Sequence, residues 1–287
     1  MKKSKATENA MNAVFTVCGL TALAFVIVIT VFLLVSGIPA IREIGAVKFL
    51  LGKIWKPTAA EAQYGILPFI LSSVAGTIGA VIIGVPIGLM CAIYISKFAP
   101  PKFGAAVRTA VELLSGIPSV VYGLVGMIII VPAVRKAFSL PDGANLFSAI
   151  LVLAVMILPS VISVSETAIK AVPKEYEEGS LALGATKTET VFKVVVPAAK
   201  SGILTAVVLG IGRAIGEAMA VMMVSGNTAN MPKLFGSVRF LTTAVASEMS
   251  YSSGLQRKAL FSIALVLFIF ILIINLVLNM VIKKKKG

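Results

Sequence analysis

The segment EYEEGSLALGATKTETVFKVVVPAA, residues 175–199, places Glu, Lys and Thr side chains between runs built almost wholly from Val, Ile, Leu and Ala. Pro173 followed by Glu175, Glu177 and Glu178 reads as a helix start. Proline is tolerated in a first turn, and carboxylates suit the positive end of the helix dipole. Gly184 then marks a break or C-cap. A second short helix follows, with Val191, Phe192, Val194 and Val195 on its apolar side, and Pro197 ends it. Two short helices joined at a glycine make a compact projection. The same pattern also suits a solvated loop with interfacial helices.

The flanking sequence says what the projection stands on. Of 287 residues, 58% are hydrophobic and 13% are charged, against about 25% charged in a soluble domain. Six apolar runs, at roughly 12–36, 67–95, 111–134, 146–169, 201–226 and 259–282, are each long enough to cross about 30 Å of hydrocarbon as helices. The fold class is therefore an all-α polytopic membrane protein with six transmembrane helices. The first run exceeds the about 7–15 residues of a signal h-region and reads as a retained span. An even number of spans puts both termini on one face. Lys2, Lys3 and Lys5 with Lys283–Lys286 make that face cytoplasmic. The segment at 175–199 then lies in the cytoplasm, and residues 37–64 and 227–257 face outward, Trp55 and Tyr64 being suited to the interface. The net charge of +14 follows from this pattern and from contact with anionic lipid, so no nucleic-acid partner is required.

Several chemistries are excluded. There is no histidine, and Cys18 and Cys91 both fall inside apolar runs, so neither a metal site nor a disulfide framework is expected. No G-x-x-x-x-G-K-[ST] occurs, which removes an ATP-binding cradle and leaves the chain without a cofactor of its own. LLSGIPS, residues 113–119, holds Ser115 and Ser119 but has nothing to activate either as a nucleophile.

Span five, GILTAVVLGIGRAIGEAMAVMMVSGN, carries Arg213 at its middle, about 18 Å from either end at helical rise. A charge at that depth belongs in a bundle interior or a watery path. Glu217, one turn on, can pair with it, and Gly212, Gly216 and Ala220 form a small-residue strip beside it. Two readings are open: a buried ion pair that fixes helix register, or a cationic station for an anion in transit, tempered by Glu217. Glu112 and Glu166 sit near the edges of spans three and four, and Pro118 suggests a kinked or broken helix lining a cavity. Gly76, Ala80, Gly84 and Gly88, four residues apart in span two, read as a tight helix–helix face.

The spacing within 175–199 resembles the cytoplasmic signature of ABC importer permeases: Glu-Ala-Ala, three residues, Gly, nine residues, Ile-x-Leu-Pro. Here Glu178-Gly179-Ser180 stands for Glu-Ala-Ala, Gly184 follows three residues later, and Val194-Val195-Val196-Pro197 follows nine more. With ELLSGIPSVVYGLVG and GRAIGEAMAVMMVSGN, the chain from about residue 65 onward is similar to the PstC-type permeases of bacterial phosphate ABC importers. The resemblance implies a type I ABC permease-like bundle at 67–287, with coupling helices at 173–197, preceded by an N-terminal span and outer segment at 1–66. It implies docking of an ATPase by Glu178, Gly179, Ser180, Gly184, Ala185, Val194, Val196 and Pro197. It also implies a substrate path through Arg213 and Glu217, with Glu112 and Ser115 as further candidates. The implied partners are a second, PstA-like permease, an ABC ATPase dimer that binds ATP and Mg, and an extracytoplasmic phosphate-binding protein. The setting is a bacterial or archaeal inner membrane, and the chain itself is not an enzyme. Another oxyanion permease (sulfate or molybdate) or a secondary anion carrier remain the alternative readings.

Overall fold

Hydrocarbon offers backbone N–H and C=O groups no partners, so apolar runs of this length must close their hydrogen bonds internally as helices. The computed structural model describes residues 2–284, without the side chains of residues 2–7, 9, 10, 278, 279 and 281–284. The terminal lysines Lys2, Lys3, Lys5 and Lys283–Lys286 thus lie outside the described side chains. Helix α1 (Lys2–Ile44) leads to the short α2 (Ala46–Leu51). Two-residue strands β1 (Trp55–Lys56) and β2 (Gln63–Tyr64) pair antiparallel with Trp55 opposite Tyr64; they are the exception to an otherwise helical chain among the described residues. Then come α3 (Leu67–Ile93), ending in a π-helical turn at Tyr94–Phe98, and the amphipathic α4 (Pro101–Ser115). Helix α5 (Ser119–Val125) continues through another π turn into α6 (Val131–Ala137), and α7 (Leu146–Lys170) follows. The projecting segment comprises α8 (Lys174–Ala182), α9 (Lys187–Thr190) and α10 (Val196–Ala198). Helices α11 (Lys200–Gly216), α12 (Met219–Val224), α13 (Leu241–Glu248) and α14 (Gly254–Lys284) complete the chain.

Among the described residues, five helical stretches are long and apolar enough to cross a membrane, and a sixth forms if α9–α10 and α11, bent by 69° at their junction, count as one span. The core centres on α7, which packs along α3 on one side and α11 on the other. Glycines allow both approaches. A Cβ on Gly84 would stand 2.8 Å from Ile157 and 2.9 Å from the Ala154 carbonyl, and one on Gly88 would stand 2.8 Å from Val161. The four-residue strip of span two is a helix–helix face, as its spacing predicts. Helix α1 leans on α14, where Phe32 meets Phe261 edge-on and Ser262 Oγ donates to the Gly37 carbonyl at 2.5 Å.

Four details depart from the sequence reading. The third span starts at Ser119 rather than 111: Pro118 disfavours helix at Ile117, so the chain breaks at 116–118 and Glu112 and Ser115 belong to the separate α4. The fifth span is not continuous but breaks between Gly216 and Met219. Pro197 sits one residue before the end of its helix rather than at it: the helix runs unbroken from Lys187 to Ala198 and then bends by 69° into α11. Trp55 does not face an interface. It is 6% exposed, packs on Phe69 and Tyr64, and donates its indole N–H to Glu248.

Gly84→Leu should force α3 away from α7 and destabilise the chain by about 1–3 kcal/mol, the usual cost of overpacking. Gly179→Leu, where an added Cβ meets nothing within 4 Å, should leave stability nearly unchanged. Thermal unfolding of both variants in detergent checks the contrast.

Candidate functional site

The projecting segment is an elbow whose outer limb is bare. Helix α8 buries none of its residues, and Leu183 at its end is 91% exposed, with Tyr176 and Leu181 also out in the open. Glu175 and Glu177 lie in its first turn, where the dipole favours them. Gly184 adopts φ +86°, the left-handed conformation that glycine reaches without a Cβ penalty, and so reverses the chain as predicted. Thr186 then caps α9 in a reciprocal box with Glu189. The Thr186 backbone N–H, Lys193 and the Thr186 hydroxyl pull the Glu189 carboxyl down to about 2. The box therefore holds above the ordinary carboxylate range and is lost only as pH falls towards that value.

The inner limb fastens this projection to the bundle. Val191 and Val195 are fully buried against Ile95, Val111, Ile162 and Ile169, while Val194 and Val196 are partly covered and Pro197 is exposed. Ser180, where the related signature has alanine, hydrogen-bonds Thr190 at 2.9 Å and ties the two limbs together. Gly179, at the other departure, faces open space. Lys97, in the turn after α3, pairs with Glu177 at 2.5 Å, and Lys187 sits over the Phe98 ring. Glu178 and Ala185 make no side-chain hydrogen bond or ion pair, and Glu178 is exposed. The elbow is thus held rigidly from behind while its front stays free.

Arg213 occupies the last turn of α11, because the helix stops at Gly216; a cation there complements the terminal carbonyls. Glu217 turns extended, with φ −73° and ψ 127°. Its Oε1 accepts the Ala220 N–H at 2.9 Å, capping α12, and its carbonyl accepts the Thr242 hydroxyl from α13 at 2.7 Å. The expected Arg213–Glu217 ion pair is therefore not formed: the carboxylate closes the break instead. Among the described residues, the one side-chain hydrogen bond of Arg213 is a 3.4 Å contact from Nη1 to Ser160 Oγ on α7. The guanidinium is half-buried, and beside it Gly212 and Gly216 face open space, with Leu209 and Met219 exposed. Ala220, the third member of the predicted strip, is buried instead against Gly123 of α5.

At the break in span three the Leu114 carbonyl accepts the Ile117 N–H at 3.2 Å and the Tyr122 hydroxyl at 2.7 Å, so α5 is tied back to the end of α4. Glu112 and Ser115 are exposed on α4 and have no side-chain partner among the described residues. Glu166 is 8% exposed and binds Arg108 of α4 at 2.5 Å and Lys170 at 2.7 Å, fixing α4 to α7. At the opposite end from the elbow, Glu248 gathers Arg239, the Trp55 indole and Gln256 beside a cavity of about 470 Å³. Sequence reasoning missed Ser160, Tyr122 and this cluster. Trp55 and Glu248 are 193 residues apart, and no spacing rule joins them.

Residues 84–286 match the family described as "Binding-protein-dependent transport system inner membrane component". The chain belongs to that family. A probable ABC transporter permease protein, YqgH of Bacillus subtilis, is 41% identical over 91% of this chain and 88% of its own length. The phosphate transport system permease protein PstC of Pasteurella multocida is 36% identical over 83% of this chain and 81% of its own. Among solved structures, the inward-facing MetNI methionine ABC transporter superposes with a TM-score of 0.61 at 20% identity, covering 76% of this chain and 95% of that one. The fold is that of an ABC importer permease, a multi-spanning transporter component.

Glu166→Ala should lower permease stability by about 1–3 kcal/mol, between the values for exposed and buried ion pairs, since both cations are partly solvated. Lys170→Ala, which leaves the Arg108 bond in place, should cost under about 1 kcal/mol. Thermal melts of the two variants give the comparison.

Proposed function

We propose that this permease carries inorganic phosphate inward across a bacterial or archaeal inner membrane, driven by ATP hydrolysis on a separate subunit. One observation carries the reading: a half-buried guanidinium, held by a single long hydrogen bond among the described residues, stands beside Gly212 and Gly216, where an added Cβ would meet nothing within 4 Å. A helix broken at membrane depth is tolerated where it lines a cavity or meets protein, so a second, PstA-like permease closes this flank and makes the path between the two subunits. Arginine offers phosphate a rigid fork of donors. Among the described residues only Oε1 of Glu217 is engaged, and its other oxygen can accept the hydrogen bond of a P–OH group, which sulfate lacks at neutral pH. The relatives named as phosphate permeases support this choice of oxyanion.

The elbow is where the ATPase dimer, with its ATP and Mg, docks. Leu181, Leu183 and Tyr176 supply the apolar contact, and Glu178, Gly179, Ser180, Gly184 and Ala185 shape the limb that enters the ATPase groove; Val194, Val196 and Pro197 belong to the inner limb behind it. That puts the elbow and both termini in the cytoplasm and the Trp55–Glu248 end outside, towards an extracytoplasmic phosphate-binding protein. Residues 1–66 then form a flanking span and outer segment on the permease bundle at 67–287. Glu112 and Ser115 stand at the cytoplasmic mouth of the path, beside the break at 116–118.

Membrane vesicles holding the permease with its partner subunits should take up labelled phosphate only with ATP, and excess sulfate should not compete. Arg213→Gln should abolish uptake while the assembly still copurifies; normal uptake in that variant would reduce the arginine to packing. Glu178→Arg and Gly184→Trp should release the ATPase on purification, and a complex that survives both would remove the elbow from coupling.

A further inference from the structure

Resting on the phosphate-path reading, we infer that Ser160 is the second hydrogen-bond donor of the anion site, acting beside Arg213 to set the affinity for the oxyanion in transit. In this chain, hydroxyls on helices commonly donate to the carbonyl four residues back. Thr16, Thr21, Thr30, Ser96, Thr167, Thr205 and Ser247 all do so. Ser160 does not. Its Oγ makes one contact, and there it accepts from Arg213 Nη1 at 3.4 Å, since a guanidinium can only donate. Its own O–H proton is therefore free, on a side chain that is not fully buried.

The position suits the task. Ser160 follows Pro159 within α7, and α7 is locked to α11, where an added Cβ on Gly210 would stand 3.2 Å from Val161. The hydroxyl and the guanidinium are thus carried on two closely packed helices, which keeps them together. Donors 3.4 Å apart can reach two oxygens of one tetrahedral oxyanion. The guanidinium N–H groups take one oxygen and the Ser160 O–H takes another, with the Arg213–Ser160 contact giving way to both. A neutral hydroxyl adds selectivity without the grip of a second cation, and a transported anion must also leave.

The test is uptake kinetics in the assembled, ATP-driven complex. Ser160→Ala should raise KM for phosphate about five- to tenfold, as loss of one neutral hydrogen bond implies, with a smaller effect at saturating phosphate. Ser160→Thr, which keeps the hydroxyl, should restore KM to within about twofold, a recovery that a packing role would not give. An unchanged KM in Ser160→Ala overturns the assignment, and so does a Thr variant as impaired as the Ala variant. Arg213→Gln separates the two readings. Lost uptake in Arg213→Gln with normal KM in Ser160→Ala sinks Ser160 alone, whereas normal uptake in Arg213→Gln sinks the path and Ser160 with it.

Discussion

A backbone polar group inside hydrocarbon has no water to turn to, so a helix can break there only where the protein itself supplies the missing partners. The permease breaks its spans and answers each break with a named group. At 116–118 the Ile117 N–H and the Tyr122 hydroxyl both take the carbonyl of Leu114. At 217–218 the Glu217 carboxylate takes the N–H of Ala220 and the Thr242 hydroxyl takes the Glu217 carbonyl. At the elbow, Gly184 reverses the chain and the Thr186–Glu189 box starts it again. An unsatisfied group at either of the two breaks within the membrane would cost a few kcal/mol. These closures are what permit irregular backbone in a chain of this composition.

The same closures dispose the charges. Because Glu217 caps α12, it is not available to neutralise Arg213, and because α11 ends at Gly216, Arg213 faces the negative end of its own helix. Among the described residues, little of the guanidinium's donor capacity is engaged. The other cations near the bundle are treated differently. Arg108 and Lys170 share Glu166, Lys97 holds Glu177, and Arg239 is bound by Glu248 and the Asn227 carbonyl. Those pairs fasten one element to another. Arg213 alone among these fastens nothing firmly, which separates a residue that can bind from residues that hold.

How much of this could be read in advance depended on whether the determinant was local. The elbow was legible because its signals are neighbours in sequence: prolines, acids in a first turn, a glycine at the reversal, and valines at helical spacing. The Gly76–Gly88 strip was legible because one helix carries all of it. Arg213 was conspicuous for its depth, yet its partner was misjudged. Spacing of four residues assumes an unbroken helix, and the break at Glu217 is closed by Thr242, 25 residues away. Trp55 was placed at an interface on residue type alone, when Glu248 and Phe69 draw it into the core. Ser160 carried no signal at all, being one serine among many in an apolar helix.

Helix α11 links the two ends of the permease physically. It is one unbroken rod of 17 residues, about 25 Å long at helical rise, with the elbow bend at its first residue and Arg213 in its last turn. Gly202 and Gly210 bring it against Ala168 and Val161 of α7, so the two helices present one packed unit. Close-packed interiors transmit displacement because they do not compress. A push on the elbow must therefore tilt α11 and α7 together. The Arg213–Ser160 pair rides on that unit, and α12, across the break, packs on both α5 and α7. Tilting changes the pair's position relative to the flank beside Gly212 and Gly216 while keeping the two donors on one unit. On the proposed phosphate path, an anion site has to keep its donors together while its surroundings change, and two donors carried on one packed unit beside the break at residue 217 meet that requirement.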